Sequence, residues 1–263
     1  METFYLGTHQ PHWLATADVP LFVSHRRLAG RKTLPRAIEH WALDSGGFSE
    51  LSLYDEWRTT PGEYVAAVRR YDEEIGELGW AAPQDWMCEP FMTAKTGLSV
   101  LDHQRRTVAN FLELQELWGN DATSPFMPVL QGWERDDYLR CHDLYGEAGV
   151  DLTAYPVVGL GSVCRRQASG AIGAVVAALR QRDPGLPLHG FGVKLGGLRA
   201  YGHLLHTADS MAWSFEARRH DPLPDCTGHK NCANCLTYAL AWRERVVSIP
   251  EPLLQLDLFG DVA

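Results

Sequence analysis

The sequence predicts an α/β fold, a (β/α)8 TIM barrel that carries a small C-terminal zinc-binding subdomain. The length of 263 residues suits one such barrel, which takes about 250 residues. Short apolar runs alternate with helix-like stretches, as they do around a mostly parallel sheet. Three of the six cysteines lie close together near the C-terminus. We therefore expect a barrel over residues 1–220, a zinc-binding loop and helix over 221–250, and a tail over 251–263.

Eight apolar runs are candidate strands. Each is four to six residues long, is rich in Val, Leu and aromatic residues, and is bounded by Gly, Pro or polar residues. Eight strands in a chain of this length predict a closed barrel, although the first two connections are short and irregular. The runs cover residues 3–7, 21–24, 41–44, 85–88, 127–131, 155–160, 188–193 and 209–213.

Helical periodicity marks the stretches between the later strands. The first of them begins at Thr60-Pro61, a natural cap and first turn, and its apolar residues recur at Val65, Val68 and Tyr71. The predicted helices cover residues 61–78, 100–118, 134–148, 169–179, 198–206 and, after the last strand, 236–246.

Composition excludes several classes of protein. No run of about 18 apolar residues occurs, so we expect no membrane span. The N-terminus lacks a basic region followed by an apolar one, which favours a cytoplasmic protein over a secreted one. A net charge of −9 argues against sequence-blind coating of nucleic acid but permits a local basic groove.

The stretch Asp44-Ser45-Gly46-Gly47 stands at the end of the third predicted strand. Barrel enzymes take functional residues from the C-terminal ends of their strands, so a carboxylate there can serve as a catalytic acid. The glycines would let a substrate lie against bare backbone. Taken alone, the stretch is also typical of a strand-to-loop turn with Asp44 as a cap. Polar residues or glycines also end nearly all of the remaining predicted strands, which favours the functional interpretation.

Four possible metal ligands lie within ten residues of one another: Cys226, His229, Cys232 and Cys235. Zinc takes four such ligands in a tetrahedron, and residues at this spacing can reach one ion. Four protein ligands leave no open position, so we expect a structural Zn2+ that fixes the loop. The alternatives are a reduced cysteine-rich loop or a fourth ligand other than His229. The helix at 236–246 would pack the loop against the barrel.

A series of motifs follows a fixed order along the chain. In this order, and in the cysteine cluster that follows it, the chain resembles the tRNA-guanine transglycosylase superfamily, from residue 3 to residue 245. It is most similar to the DpdA family of phages and bacteria, which puts 7-deazaguanines into DNA. The motifs are Asp-Ser-Gly-Gly-Phe (44–48), Gln-Asp-Trp-Met-Cys-Glu-Pro (84–90), Val-Leu-Gln-Gly (129–132), Val-Gly-Leu-Gly-Ser (158–162), Gly-Phe-Gly-Val (190–193) and Ala-Asp-Ser-Met-Ala (208–212).

The resemblance implies a base exchange that depends on two carboxylates. Asp209 would match the family's nucleophile after the eighth strand, attacking C1′ and holding a covalent aspartyl-glycosyl intermediate. Asp44 would match the general acid/base that moves a proton at the departing and the incoming base. The resulting double displacement parallels that of retaining glycosidases.

The other strand ends would recognise the base. Where the family usually has an aspartate after the fourth strand, this chain has Glu89, with Asp85 as the second choice. Gln131 offers both a donor and an acceptor to a purine edge. Phe191 can stack on the base, although an aromatic residue there is equally typical of barrel core. The expected base-binding residues are Ser45, Gly46, Gly47, Asp85, Glu89, Gln131, Gly159, Leu160, Gly161 and Phe191.

Three arginine pairs are candidate phosphate contacts. Any one pair is as often only a solvated surface. The target base must leave its stack to reach Asp209, so we expect a flipped or single-stranded nucleotide. The chain lacks room for the RNA-binding domain of the archaeal tRNA enzymes, which favours DNA. The pairs are Arg26 and Arg27, Arg165 and Arg166, and Arg218 and Arg219.

We therefore predict a DNA-guanine transglycosylase, a pentosyltransferase that exchanges guanine for a 7-deazaguanine such as a preQ0-like base. The alternatives are a tRNA-guanine transglycosylase, a non-catalytic nucleic-acid-binding subunit of such an enzyme, and an N-glycosidase of free nucleosides. The presence of both Asp44 and Asp209 argues against the subunit. The arginine pairs argue against the N-glycosidase. Whether partner proteins of a DNA-modification system take part stays open.

Overall fold

The computed structural model describes residues 1–119, 123–164, 166 and 170–249. Within these residues eight strands form one all-parallel sheet in the order β4-β3-β2-β1-β8-β7-β6-β5. The strands are β1 (Thr3–Thr8), β2 (Leu21–Ser24), β3 (Trp41–Asp44), β4 (Leu78–Ala81), β5 (Val129–Leu130), β6 (Val158–Leu160), β7 (Leu188–Gly190) and β8 (Thr207–Ser210). The predicted tail at 251–263 lies outside the described residues.

Helices connect most of the strands. The longest is α5, whose cap residue Ser99 and third residue Asp102 bond each other's backbone N–H groups in a capping box. The helices are α1 (His25–Leu28), α2 (Gly47–Tyr54), α3 (Pro61–Ile75), α4 (Pro90–Thr96), α5 (Val100–Trp118), α6 (Arg135–Glu147), α7 (Gly170–Arg182), α8 (Leu195–Tyr201), α9 (Ala212–Ala217) and α10 (Leu236–Val247). Short 3-10 turns cover Pro11–Ala15, Leu152–Ala154 and Gly202–Leu204. No helix in the described part of the chain is long and apolar enough to cross a membrane.

The sheet is curled, because side chains from strands that are not neighbours meet inside it. The ring centroids of Tyr5 on β1 and Trp80 on β4 are 5.7 Å apart, and His189 on β7 lies 4.7 Å from Trp80. The sheet's outer strands also approach each other, since Ala81 at the end of β4 forms a parallel bridge with Phe126, just before β5. This arrangement is compatible with the predicted (β/α)8 barrel. A small apolar cluster lies inside the curled sheet, and a larger apolar layer fills the space between the sheet and the helices.

The prediction of the fourth strand is wrong. Residues 85–88 lie in a loop, and β4 lies earlier, where it pairs with β3. The predicted helix at 61–78 included part of this strand, but α3 ends at Ile75 because Gly76 takes a left-handed φ of 71°. Asp85 and Glu89 therefore stand in the loop between β4 and α4 rather than at the end of a strand.

The eighth strand begins two residues earlier than predicted. It runs from Thr207 to Ser210, so Asp209 lies within the strand, opposite Tyr5 of β1, and not after it. Its first residue, Thr207, is polar, and its hydroxyl bonds His189 inside the sheet, so the strand begins outside the apolar run. The other strands lie within the predicted runs or one residue beyond them, but the predicted helix at 198–206 is α8 followed by a 3-10 turn. The short helices α1, α2, α4 and α9 were not predicted.

Candidate active site

A cavity of about 620 Å³ opens at the C-terminal ends of the strands. Thr8 ends β1, Ser24 ends β2 and Asp44 ends β3, and all three line it. β8 contributes Asp209 to the same cavity. The position agrees with the rule that parallel α/β sheets present their sites at this edge. The cavity is large enough for a nucleotide-sized ligand.

Ten of the predicted site residues line this cavity. They include both predicted catalytic carboxylates, Asp44 and Asp209, which come from opposite ends of the chain. The remaining eight are Arg26, Arg27, Gly47, Asp85, Glu89, Gln131, Gly161 and Phe191.

Four predicted base-binding residues do not line the cavity. Leu160 is fully buried in the apolar layer between sheet and helices. Ser45 is buried, and Gly46 caps α2 with a left-handed φ of 83°. A side chain at Gly46 would collide with Arg26, since its Cβ would lie 2.8 Å from Arg26 Cγ. Gly159 lies beneath Phe191, whose ring carbon Cε2 would be 2.5 Å from a Cβ there. Both glycines therefore make room for side chains that do line the cavity.

Asp209 is held by β7 and the loop that follows it. Its Oδ1 accepts a hydrogen bond of 2.8 Å from the backbone N–H of Gly192 and lies 3.3 Å from Nε2 of His189. His189 is itself fixed, because its Nδ1 lies 2.8 Å from the hydroxyl of Thr207. All three side chains are buried, so the carboxylate has one defined orientation.

Asp44 is a half-buried carboxyl whose pKa is raised, chiefly by removal from water. The negative charge of Asp209 raises the pKa further, which places the two carboxylates close enough to repel each other. Hydrogen bonds from the Ser24 hydroxyl and the Gly46 backbone oppose the shift. A raised pKa suits a carboxyl to give a proton as well as to take one.

A hydrogen-bonded chain joins two further carboxyl groups at the cavity wall. The Gln131 amide bonds Asp85 at one end and lies 2.7 Å from the Ser162 hydroxyl at the other. That hydroxyl is also 2.8 Å from Oε2 of Glu89. Burial, with the charges of Asp44 and Glu89, raises the pKa of Asp85 to about 7.

Gly161 lets the Gln131 amide reach this position. A Cβ at Gly161 would stand 2.6 Å from the amide carbon of Gln131, well inside contact distance. The Gly161 carbonyl accepts a hydrogen bond of 2.8 Å from the buried Tyr138 hydroxyl, which fixes the turn. The site therefore depends on the absence of a side chain at this position.

The four predicted metal ligands converge in one loop. The ligand atoms of Cys226, His229, Cys232 and Cys235 all lie within 4.8 Å of one another. Sγ of Cys226 is 3.7 Å from Sγ of Cys235, too far for a disulfide and close to the edge of a tetrahedron with metal–sulfur bonds of about 2.3 Å. Nε2 of His229 is 3.2 Å from Sγ of Cys232. The four residues can hold a metal ion, and the donor set fits zinc.

The helix after the metal ligands packs against the sheet and α9. Trp242 of α10 is buried against Phe4 of β1, with ring centroids 6.1 Å apart. Its Nε1 donates a hydrogen bond of 2.9 Å to Glu216 of α9, which also accepts bonds from Tyr238 and Arg245.

The DpdA family model, described as deoxypurine in DNA protein A, matches residues 1–258 of this chain. The chain belongs to the DpdA family. DpdA is part of the tRNA-guanine transglycosylase-like superfamily, so the resemblance noted in the sequence is confirmed. Membership makes the chain, at family level, an enzyme of DNA 7-deazaguanine modification. No curated protein matches the chain.

Basic residues of this DpdA member lie at the cavity and outside it. Arg26 and Arg27 of α1 line the cavity. Arg166 stacks on Trp133, with its guanidinium carbon 4.0 Å from the ring centroid, and Arg219 stacks on Phe215 in the same way. The second pair's Arg165 lies outside the described residues. Arg218, like Arg166 and Arg219, is not part of the cavity wall.

Several residues at the site of the DpdA chain were not predicted. Ser162 and Gly192 line the cavity and stand in motifs to which the sequence assigned no role for them. His189 lies behind Asp209, within an apolar strand. His9 lines the cavity, stacks parallel to Trp213 at 6.0 Å, and bonds Asn234 of the metal-binding loop at 2.5 Å. Its His-Gln-Pro-His setting offered a signal, but the partner is 225 residues away.

Proposed function

We propose that this protein exchanges guanine in DNA for a 7-deazaguanine, a preQ0-like base, by double displacement through a covalent aspartyl-glycosyl intermediate. One observation carries the proposal: Asp44 and Asp209 line the same cavity and lie close enough for one charge to raise the pKa of the other. Membership of the DpdA family supports DNA as the substrate.

In the first displacement, Asp209 attacks C1′ of the target nucleotide and the bond from C1′ to N9 of guanine breaks. The hydrogen bond from Gly192 and the contact with His189 both engage Oδ1 of Asp209, so we assign Oδ2 as the attacking oxygen. Asp44, whose raised pKa favours the protonated form, gives its proton to the departing guanine.

In the second displacement, the ionised Asp44 takes the N9 proton of the incoming 7-deazaguanine. N9 attacks C1′, and the ester bond to Asp209 breaks. Each step inverts the configuration at C1′, so two steps retain it. Asp44 regains its proton and the enzyme returns to its starting state.

The base would lie between the Phe191 ring and the wall formed by Asp85, Gln131 and Gly161. The exocyclic amine and N1–H of guanine can donate hydrogen bonds to a carboxylate, and 7-deazaguanine keeps both groups. A base without these donors would be bound much more weakly, because it would leave the buried polar groups of the protein without hydrogen-bond partners. At the rim, Arg26 and Arg27 would bind backbone phosphates on either side of a flipped nucleotide.

We assign Zn2+ to Cys226, His229, Cys232 and Cys235, with a structural role. The ion would supply rigidity to the loop and no chemistry at the base, because four protein ligands complete its coordination. Glu216, Tyr238 and Trp242 then hold the ordered loop against the barrel.

The test is an exchange assay with labelled guanine in duplex DNA, single-stranded DNA and tRNA. Each substrate is incubated with 7-cyano- or 7-aminomethyl-7-deazaguanine, and label release is measured. We expect release from DNA and trapping of a protein–DNA adduct by denaturation in the absence of the incoming base. Release from tRNA alone would favour the tRNA enzyme, and release from none by a folded protein would favour the binding subunit. Free labelled deoxyguanosine serves as the control for the N-glycosidase.

A further inference from the structure

The hydrogen-bonded chain that joins the side chains of Asp85 and Glu89 through Gln131 and Ser162 has fewer hydrogen atoms than its contacts require when both carboxyls are ionised. The Ser162 hydroxyl stands at its centre, with three partners: the backbone N–H of Cys88 at 2.8 Å, the Gln131 amide at 2.7 Å and Glu89 at 2.8 Å. Gln131, Ser162 and Glu89 are at most 6% exposed, so their hydrogen bonds have to be made within the protein.

A hydroxyl has one hydrogen and two acceptor sites. The N–H of Cys88 takes one acceptor site of Ser162, which leaves one hydrogen and one acceptor site for Gln131 and Glu89. If the hydrogen goes to the amide oxygen of Gln131, Glu89 has to donate, and only a protonated carboxyl donates. The Gln131 amide nitrogen then faces Asp85, which accepts as a carboxylate.

The opposite orientation of the amide moves the proton to the other carboxyl. Amide nitrogen and oxygen are interchangeable assignments at such a site. With its nitrogen toward Ser162, Gln131 donates there and Ser162 donates to an ionised Glu89. The Gln131 oxygen then faces Asp85, which has to donate and so must be protonated. In both orientations all the contacts are satisfied only when one of the two carboxyls carries a proton.

The surroundings favour a single negative charge on the pair. Burial and the charges of Asp44 and Glu89 raise the pKa of Asp85. The other titratable groups that interact electrostatically with the pair are Tyr64 of α3, Cys88 of the same loop, and Tyr138 and Tyr145 of α6. Asp137 and Cys141 act on Cys88, and Arg166 acts on Tyr138.

We propose that Asp85 and Glu89 share one proton through Gln131 and Ser162, and that binding of a guanine-type base draws this proton to Glu89. The second clause rests on the function proposed above. A guanine edge presents donors, so it is matched by an ionised Asp85 and excluded by a protonated one. Glu89 and Ser162 are then positioning residues, which set the acceptor state of Asp85 without touching the base.

The shared proton can be tested without any substrate. Carboxyl-carbon NMR of the full chain, labelled at Asp and Glu, should show two carboxyls that together lose one proton well above the usual range of carboxyl pKa values. In Glu89→Gln the amide of residue 89 always donates a hydrogen bond to Ser162. The shared proton should therefore be absent, and Asp85 should ionise at a lower pH than in the wild type. Two independent carboxyls, both ionised at pH 7 in the wild type, would overturn the proposal.

The second test measures binding of 7-cyano-7-deazaguanine by calorimetry between pH 6 and 9, in buffers of different ionisation enthalpy. Once the pair has lost its proton, wild-type affinity should fall about tenfold per pH unit, with uptake of one proton on binding. Glu89→Gln should bind with constant affinity and no proton uptake, and Asp85→Asn should bind at least tenfold more weakly.

Glu50→Gln is the matched control, because Glu50 is a buried glutamate that is not part of the hydrogen-bonded chain. It accepts hydrogen bonds from the backbone N–H groups of Arg58 and Thr59. It should keep the wild-type pH dependence. If Asp85→Asn binds like the wild type while Glu89→Gln does not, the assignment of the proton to Glu89 in the bound state is overturned. A shared proton in a protein that binds no 7-deazaguanine would leave the first clause standing and would refute the proposed function instead.

Discussion

The metal-binding loop and the cavity organise acidic and thiol groups in opposite ways. The loop takes its four ligands from ten consecutive residues, and a bound ion would repay the cost of bringing them together. The cavity takes Asp44, Asp85 and Asp209 from three separate segments, and all three line it, Asp209 buried and the other two half-buried. The fold imposes this arrangement on groups whose charges raise one another's pKa values, so the loop should contribute stability while the cavity lowers it.

The largest expected effect in the cavity is the loss of the nucleophile. Asp209→Asn should lower exchange by at least about 1,000-fold, because no other group replaces the covalent step. Stability should be unchanged or raised, since the substitution removes a charge that repels Asp44. Label release and thermal unfolding measure the two effects, with Asp136→Asn on the exposed face of α6 as the control. Exchange near the wild-type rate would show that the nucleophile is another residue.

The matching experiment in the loop should have the reverse outcome. Cys232→Ser removes a buried ligand, so metal should be lost and the melting temperature should fall, because about 10–16 kcal/mol of binding free energy stabilises such sites. Metal analysis and calorimetry check this, and a chelator should reproduce the effect in the wild type. Cys164→Ser, outside the cluster, is the control. A fully folded, metal-free variant with unchanged stability would refute the structural role.

The contrast also explains what the sequence could predict. The metal ligands were found because their geometry is local, and spacing alone brings them together. Seven of the eight strands were found from apolar runs, while β4 was missed because its Leu-Gly-Trp-Ala segment follows directly on an amphipathic helix.

The sequence could pair the two carboxylates only through the order of the strands, which the order of the motifs supplied. No local pattern could join His9 to Asn234, or Glu89 to Ser162, because the partners are 225 and 73 residues apart along the chain. Leu160 was expected to offer its backbone groups to the base, but it does not line the cavity. Its side chain faces the helices, since alternate residues of a strand point to opposite sides.

A smaller effect is expected where the cavity depends on missing side chains. Gly161→Ala would place a Cβ against the Gln131 amide and displace it from Asp85 and Ser162. Base affinity should fall roughly tenfold to hundredfold, as expected when about 1–3 kcal/mol of buried hydrogen bonding is lost. Titration with 7-cyano-7-deazaguanine measures this.

Gly146→Ala is the matched control for that substitution. Gly146 lies within α6 and has nothing within 4 Å of a Cβ, so alanine should bind the base normally and raise stability slightly. If both alanine variants bind alike, the Gln131 amide is not part of the base site.

The smallest effect should come from the contact that joins the two regions. Asn234→Ala removes the hydrogen bond to His9 and leaves His9 stacked on Trp213 at the cavity rim. We expect His9 to contact the DNA where it enters the cavity, so loss of one hydrogen bond of about 1 kcal/mol that orients His9 should weaken DNA binding by at most about fivefold at low salt, with zinc content unchanged. Asn234→Asp keeps the acceptor and should restore binding.

Because the ligands Cys232 and Cys235 flank Asn234, chelation should abolish the difference between wild type and Asn234→Ala. A difference that survives chelation would mean that the ion does not hold His9 in place.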